Sequence, residues 1–143
     1  MPSVPEVIVD DAGNAFGVAS AQDAWTTITQ ATGQHYGNSY RYNRLRGTGQ
    51  DVATWYFAVP LSGRFAVYAW WPASKLRPVD VPYTIQHLNG VNTVKVNQRI
   101  NGGKWNLLGT YTFVSGGTVK VTDAASSGRD IAADAIRLVY VGP

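Results

Sequence analysis

Hydrophobic and polar residues alternate along much of the chain, and no stretch sustains an apolar period of 3.6 residues. The clearest run is "GRFAVYAWWP" at residues 63–72. Between 64 and 71, one face carries Phe65, Val67, Ala69 and Trp71 and the other carries Arg64, Ala66, Tyr68 and Trp70. Successive side chains of a strand point to opposite sides, so the adjacent Trp70 and Trp71 cannot enter the same core. The face free of charge is the better core face. That assigns Trp71 to the interior and leaves Tyr68 and Trp70 as a short aromatic row on the outside. Similar runs predict strands over 6–10, 24–29, 39–43, 51–59, 64–71, 81–88, 92–97, 105–113, 118–122 and 133–141. Turn clusters separate them: "PLSG" at 60–63, "LNGVN" at 88–92, "NGG" at 101–103 and "SGG" at 115–117. The Asn89-Gly90 pair, joining two alternating runs, is the strongest hairpin signal. Short strands without helices between them predict an all-β fold, a sandwich of two antiparallel sheets.

The length of 143 residues suits one domain with one sizeable core. Residues 1–5, "MPSVP", read as a linker remnant, and residues 6–143 as a single β-sandwich domain. Only 15% of residues are charged, well below the roughly 25% of a typical soluble protein, which leaves a largely neutral polar surface. The net charge of +3 is scattered apart from Arg41, Arg44 and Arg46. A nucleic-acid binder concentrates its cations to neutralise phosphates, so no specific nucleic-acid partner is expected. With no cysteine, neither a disulfide framework nor a thiolate metal site can form. No stretch approaches the ~20 apolar residues of a membrane-spanning helix, and the first residues lack the regions of a signal peptide.

Taken in order, "GRFAVYAWWP", "VPYTIQH", "VKVNQRINGGKWNLLGTYTF" and "GRDIAADAIRL" resemble the golvesin C-terminal-like domain, also described as the carbohydrate-binding-like domain of xanthan lyases. The resemblance runs from about Glu6 to Val141, and its most specific piece is "VNQ", "GGKWNLLGTY" and "ADAIR" in that order. It implies a jelly-roll-like β-sandwich appended to a secreted bacterial enzyme or cell-surface protein. An extracellular or cell-surface location and a parent multidomain protein follow from the same resemblance. A sandwich scaffold hosts many unrelated sites, so the function has to be argued from the residues.

No catalytic motif is present: G-x-S-x-G, HExxH and a phosphate-binding glycine loop are all missing. The chain is therefore not expected to be an enzyme, and His87, ending an alternating strand, reads as an ordinary packed residue. Asp10 and Asp134 are the most tempting carboxylate pair. Many jelly-roll sugar-binding modules hold a structural calcium between first and last strands, and carboxylate oxygens suit a hard cation. The alternative is that Asp134 ties the sheet edge to a backbone amide or to Arg137. No other cofactor is expected.

The richest aromatic and polar stretch is "GQHYGNSYRYNRLRG" at 33–47, in which tyrosines alternate with arginines. Tyrosine rings stack on pyranose faces, and arginines donate to hydroxyls or acidic groups. The expected ligand contacts are Tyr36, Tyr40, Arg41, Tyr42, Arg44 and Trp70, with Asn101 and Lys104 behind them. A plain structural reading stands beside this, with Tyr40 and Tyr42 covering a sheet edge and the glycines of "NGG" supplying a turn. The expected function is a non-catalytic carbohydrate-binding-like module that places a larger protein on a polysaccharide or cell-wall glycan, an anionic one given the arginines. The alternative is a protein-interaction or spacer domain, adhesin-like or phage-associated, with Tyr68 and Trp70 covered by another domain or a second copy.

Overall fold

The computed structural model describes residues 5–19, 25–29, 34–44, 47, 49–125 and 128–143. The alternating runs become β1 (Glu6–Asp10), β2 (Phe16–Ala19), β3 (Trp25–Ile28), β4 (Tyr40–Asn43), β5 (Val52–Ala58) and β6 (Gly63–Trp70). They continue as β7 (Val81–His87), β8 (Gly90–Val96), β9 (Asn106–Phe113), β10 (Gly116–Thr122), β11 (Ile131–Ala133) and β12 (Ala135–Gly142). Every pairing is antiparallel. One sheet has the order β1-β12-β6-β9, a second the order β2-β5-β10-β7-β8, and a third, short one the order β11-β4-β3.

The two larger sheets contribute the bulk of one core. Register places Val67, Leu138 and Val7 side by side in the first sheet, and Trp55, Val119 and Ile85 in the second. Both rows join the same buried cluster, with Phe65, Phe113, Tyr83 and Trp71. Phe65, Val67 and Ala69 are wholly buried and Trp71 is 2% exposed, so the uncharged face of β6 is the core face. Residues 1–4 of the expected linker and Ala24 of the third expected strand lie outside the described residues.

Two features depart from the expected strands, besides the third, short sheet. Phe16–Ala19 forms an edge strand although "FGVA" carries little alternation. Its Phe16 ring lies 5.4 Å from Trp55 and contributes to the core. The run expected as one strand over 133–141 breaks at Asp134: β11 pairs with β4 in the short sheet, and β12 pairs with β1 and β6 in the four-stranded one. Strands that pass between sheets do so at bends of this kind. The backbone around Asp134 is fastened from two sides, its carbonyl accepting from the Asp11 amide (2.8 Å) and from the Trp55 indole (3.3 Å).

Gln98 fixes the other edge of β11. Its side-chain amide donates to the Ala132 carbonyl (2.8 Å) and the Tyr83 hydroxyl (3.0 Å), while its carbonyl accepts from the Ala132 amide (2.9 Å). A buried side chain thus supplies the donor and acceptor that a neighbouring strand would have supplied. It is structural, and so is His87, whose Nε2 lies 2.6 Å from Asn92 Oδ1 and whose ring packs 4.7 Å from Tyr111.

Candidate functional site

The expected ligand residues gather at one end of the sandwich but point to different places. The chain at 34–39 lies across the end of β6. The Trp70 indole donates to the Gln34 carbonyl (2.6 Å), and the Gln34 side-chain oxygen accepts from the Ala73 amide (2.9 Å). Tyr36 then packs against Trp70 (5.5 Å between ring centres) and Trp105 (5.2 Å), with the two indoles 5.3 Å apart edge to face. Such geometries are favourable for aromatic quadrupoles. The outer aromatic row is therefore half-covered by the chain itself: Trp70 by Tyr36 and Trp105, and Tyr68 by the Arg137 guanidinium, 5.9 Å from its ring.

Asn101 and Lys104 sit in the turn beside this cluster. Asn101 has φ 60°, a conformation that asparagine tolerates better than most residues. The Asn106 side chain donates to the carbonyls of Asn101 (3.0 Å) and Lys104 (3.1 Å), closing the turn, and the Trp71 indole donates to the Ile100 carbonyl (3.0 Å). Both side chains are exposed, but the backbone accounts for the asparagine. Gly102 lies so close to its neighbours that a Cβ there would fall 2.4 Å from the Ala73 nitrogen and 2.2 Å from Gln34 Oε1. Gly102→Ala is expected to push the Gln34 segment off the turn and to destabilise the fold by roughly 1–3 kcal/mol, read by urea denaturation.

A cleft of about 490 Å³ is lined by Tyr40, Tyr42, Arg44, Arg77, Arg129 and Asp130, among others. Tyr40 is 8% exposed and Arg77 lies over its ring at 5.6 Å, so Tyr40 supports the cleft and presents no free stacking face. Tyr42 and Arg44 are more open. Arg77 is 5% exposed and, among the described residues, its side chain donates to the carbonyls of Pro72 (2.6 Å) and Asp130. Among the described residues it has no carboxylate in ion-pair contact; Asp130 is 3.7 Å from Arg129 instead. The cleft therefore carries net positive charge. Neither Arg77 in "KLRP" nor Arg129 in "GRD" has a spacing that marks it in the sequence. Arg46 lies outside the described residues.

Beneath the 34–39 segment, Asp10, Asp11 and Asp134 converge, each offering a carboxylate oxygen within 4.8 Å of the others. Asp134 is fully buried and Asp11 is 2% exposed. Asp134 Oδ2 accepts from the Tyr36 amide (2.8 Å), and Asp11 Oδ2 from the Ser39 hydroxyl (2.8 Å). Their Oδ1 atoms are buried without a hydrogen-bond partner. Arg41 turns to this cluster and away from the cleft, its Nε 4.0 Å from Asp11 Oδ2 and its guanidinium 5.5 Å from the Phe16 ring. Arg137, the other expected partner of Asp134, pairs with Glu6 at 2.7 Å. Burial, joined by the neighbouring aspartates, pushes the Asp134 carboxyl up to about 9. Burial, with Asp10 adding to it, pushes Asp11 up to about 7. Two carboxylates held out of water beside the half-buried Asp10 are stabilised by protonation or by a compensating positive charge. Oxygen donors without histidine or cysteine suit a hard cation such as calcium. The expected pair of Asp10 and Asp134 thus meets, with Asp11 as a third member.

Residues 7–140 match the golvesin C-terminal domain family. The chain belongs to that family. This golvesin C-terminal domain is 36% identical over 145 residues to a xanthan lyase of Bacillus sp. (strain GL1), covering 99% of the chain and 15% of the enzyme. The solved Paenibacillus xanthan lyase contains the same fold, with a TM-score of 0.86 and 36% identity over 96% of the chain and 13% of that protein. The domain thus spans a small part of these relatives' length. A family 35 carbohydrate-binding module from Clostridium thermocellum superposes with a TM-score of 0.61 at 15% identity, covering 95% of the chain and 98% of the module. That likeness establishes the jelly-roll-like sandwich as the architecture.

Proposed function

We propose that this golvesin C-terminal domain is a non-catalytic glycan-binding module that holds a larger secreted or cell-surface protein on an acidic polysaccharide. The observation that carries the reading is the cleft beside Tyr42. Arg77 forms its buried wall with no carboxylate among the described residues in ion-pair contact, and Arg44 and Arg129 add two further cations. A sugar carboxylate would satisfy these guanidiniums with charge-assisted hydrogen bonds, while the Tyr42 ring offers an apolar face to a pyranose. The small share of its xanthan lyase relatives that the domain spans, and its likeness to a carbohydrate-binding module, support an accessory role. The buried aspartates do not make a catalytic pair, because Asp11 and Asp134 are closed to a substrate.

Pull-down on insoluble polysaccharides and a glycan array test the proposal, with Arg44→Glu and Tyr42→Ala run beside the parent domain. Binding is expected to carboxylate-bearing glycans, to fall with added salt, and to weaken by about tenfold or more (~1.4 kcal/mol) in Arg44→Glu. Equal binding of neutral and acidic glycans, or unchanged binding by Arg44→Glu, would sink the reading. A second reading, an interaction or spacer module, draws on the outer face of the four-stranded sheet. There Ile8 (39% exposed) and Leu107 (60%) flank the Arg137–Tyr68 pair in register. A stable oligomer by light scattering that dissociates in Leu107→Lys would favour it.

A further inference from the structure

Among the described residues, Asp130 is the only carboxylate lining the cleft, which it shares with Arg44, Arg77 and Arg129. Its backbone is unusual. With φ at 61° it occupies the left-handed region that a Cβ disfavours, and Asn101 is the other described residue, glycines aside, that does so. In this conformation one residue serves two arginines. The Asp130 carbonyl accepts from Arg77 Nη1, while its carboxylate lies 3.7 Å from Arg129 Nε. The loop that carries it is fixed against the 76–78 segment. The Arg129 amide donates to the Leu76 carbonyl (2.8 Å), and a Cβ on Gly128, at φ 78°, would fall 2.8 Å from both the Arg77 carbonyl carbon and the Pro78 nitrogen. Glycine or asparagine would serve this backbone, so the negative charge at position 130 needs a reason of its own.

That reason lies in what the cleft can hold. Arg77, tied to the Pro72 and Asp130 carbonyls, is a cation of fixed direction. Arg129 is mobile by comparison, its side chain 64% exposed and its distance to Asp130 longer than a hydrogen bond. The Asp130 side chain is 24% exposed, so its oxygens keep acceptor capacity open to the cleft. Guanidiniums only donate and a carboxylate only accepts. Together they fit a unit that carries an anion and a hydroxyl donor side by side, as the carboxylate and ring hydroxyls of a uronic acid are carried. A densely sulfated chain has exchanged such donors for acceptors, and each sulfate brings further negative charge against Asp130. We propose that Asp130 sets the specificity of the cleft: it accepts from a sugar hydroxyl beside the carboxylate that the arginines hold, and it repels densely sulfated chains. Selective sites commonly combine an attractive group with a repulsive one in this manner. The inference rests on the glycan-binding reading of the same cleft and narrows it from acidic polysaccharides to uronate-bearing ones.

The test is titration calorimetry of the whole 143-residue chain with polygalacturonate, a carboxylate polymer, and with dextran sulfate, at one ionic strength. Parent and Asp130→Asn are compared. Asparagine keeps the size of the side chain and tolerates φ 61°, so the variant should remain folded by circular dichroism, and Asp130→Gly serves the same purpose if it does not. The parent should prefer polygalacturonate. Asp130→Asn should shift the ratio of the two affinities by about tenfold or more toward dextran sulfate. Glu6→Gln, which removes a charge paired with Arg137 on the four-stranded sheet, controls for net charge and should leave the ratio unchanged. An unchanged ratio in Asp130→Asn, or an equal shift in Glu6→Gln, would overturn the assignment and leave the glycan reading in place. If the parent binds neither polymer while Asp130→Asn gains dextran sulfate, the repulsive role stands and the glycan reading falls. If neither protein binds either polymer, both fall.

Discussion

Gln98→Ala is expected to destabilise the domain by about 3–5 kcal/mol, because one truncation strands several buried groups at once. The Ala132 amide and carbonyl and the Tyr83 hydroxyl all lose their partner, and the bonds from the Gln98 backbone to Pro78 and Ser74 do not replace it. For a chain of this size that corresponds to a fall in Tm on the order of 10 °C. The comparison is Gln86→Ala, the same chemical change on the solvent side of β7, where the side chain accepts from the Thr118 hydroxyl (3.2 Å) and is exposed. That variant should stay within about 0.5 kcal/mol of the parent. Urea denaturation of the two glutamine variants decides the matter. Equal effects would mean that water replaces the Gln98 amide and that β11 is not held by it.

The position of Gln98 also explains how the functional end is kept in place. It holds β11 against the rest of the sandwich, and the chain leaves β11 directly into Asp134, the residue on which the Tyr36 amide rests. The cleft on the other side is framed in the same way. Arg77 ties the carbonyl of Pro72, just after β6, to that of Asp130, just before β11, and its own carbonyl accepts from Arg99 (2.6 Å). The proposed binding surface is thus made of loops whose backbone bonds run to regular elements, which would suit a module that presents a fixed face to a polymer.

What the sequence revealed follows from the range of the forces involved. The period-two alternation reports which side of a sheet is dry, so the strands from β4 to β10 and the inward face of β6 could be read from it. β2 could not, because Phe16 alone signals it and its partners on β5 are supplied by the fold. The break at Asp134 was hidden for a similar reason. "IAADAIRL" reads as one apolar run, and only the acidic cluster and the Gln98 bonds divide it between two sheets. For the site, composition pointed to the tyrosine and arginine segment, and both Tyr42 and Arg44 line the cleft. The same composition could not separate Arg41, drawn to Asp11, from Arg44. Nor could it find Arg77, whose place is fixed in part by the Asp130 carbonyl, distant in sequence.

The adjacent tryptophans give the sharpest contrast, and replacing each by alanine should give two different outcomes. Trp71 is 2% exposed, packs in the core with its ring tilted 6.2 Å from Tyr83, and donates to the Ile100 carbonyl, so Trp71→Ala should cost about 3–5 kcal/mol. Trp70, half-exposed on the opposite face, loses only the Tyr36 and Trp105 contacts and the bond to Gln34, and Trp70→Ala should cost about 1–2 kcal/mol. The decisive readout is where exchange speeds up. Trp71→Ala should loosen β7 and the 100–105 turn together through the shared core. Trp70→Ala should loosen the 34–39 segment and leave β7 protected, since nothing on the outer face of β6 enters that core. If the two variants were equally unstable and equally unprotected, the outer aromatic cluster would be part of the folding core. Residues 34–39 would then be a structural strap, held by the same packing that holds the core.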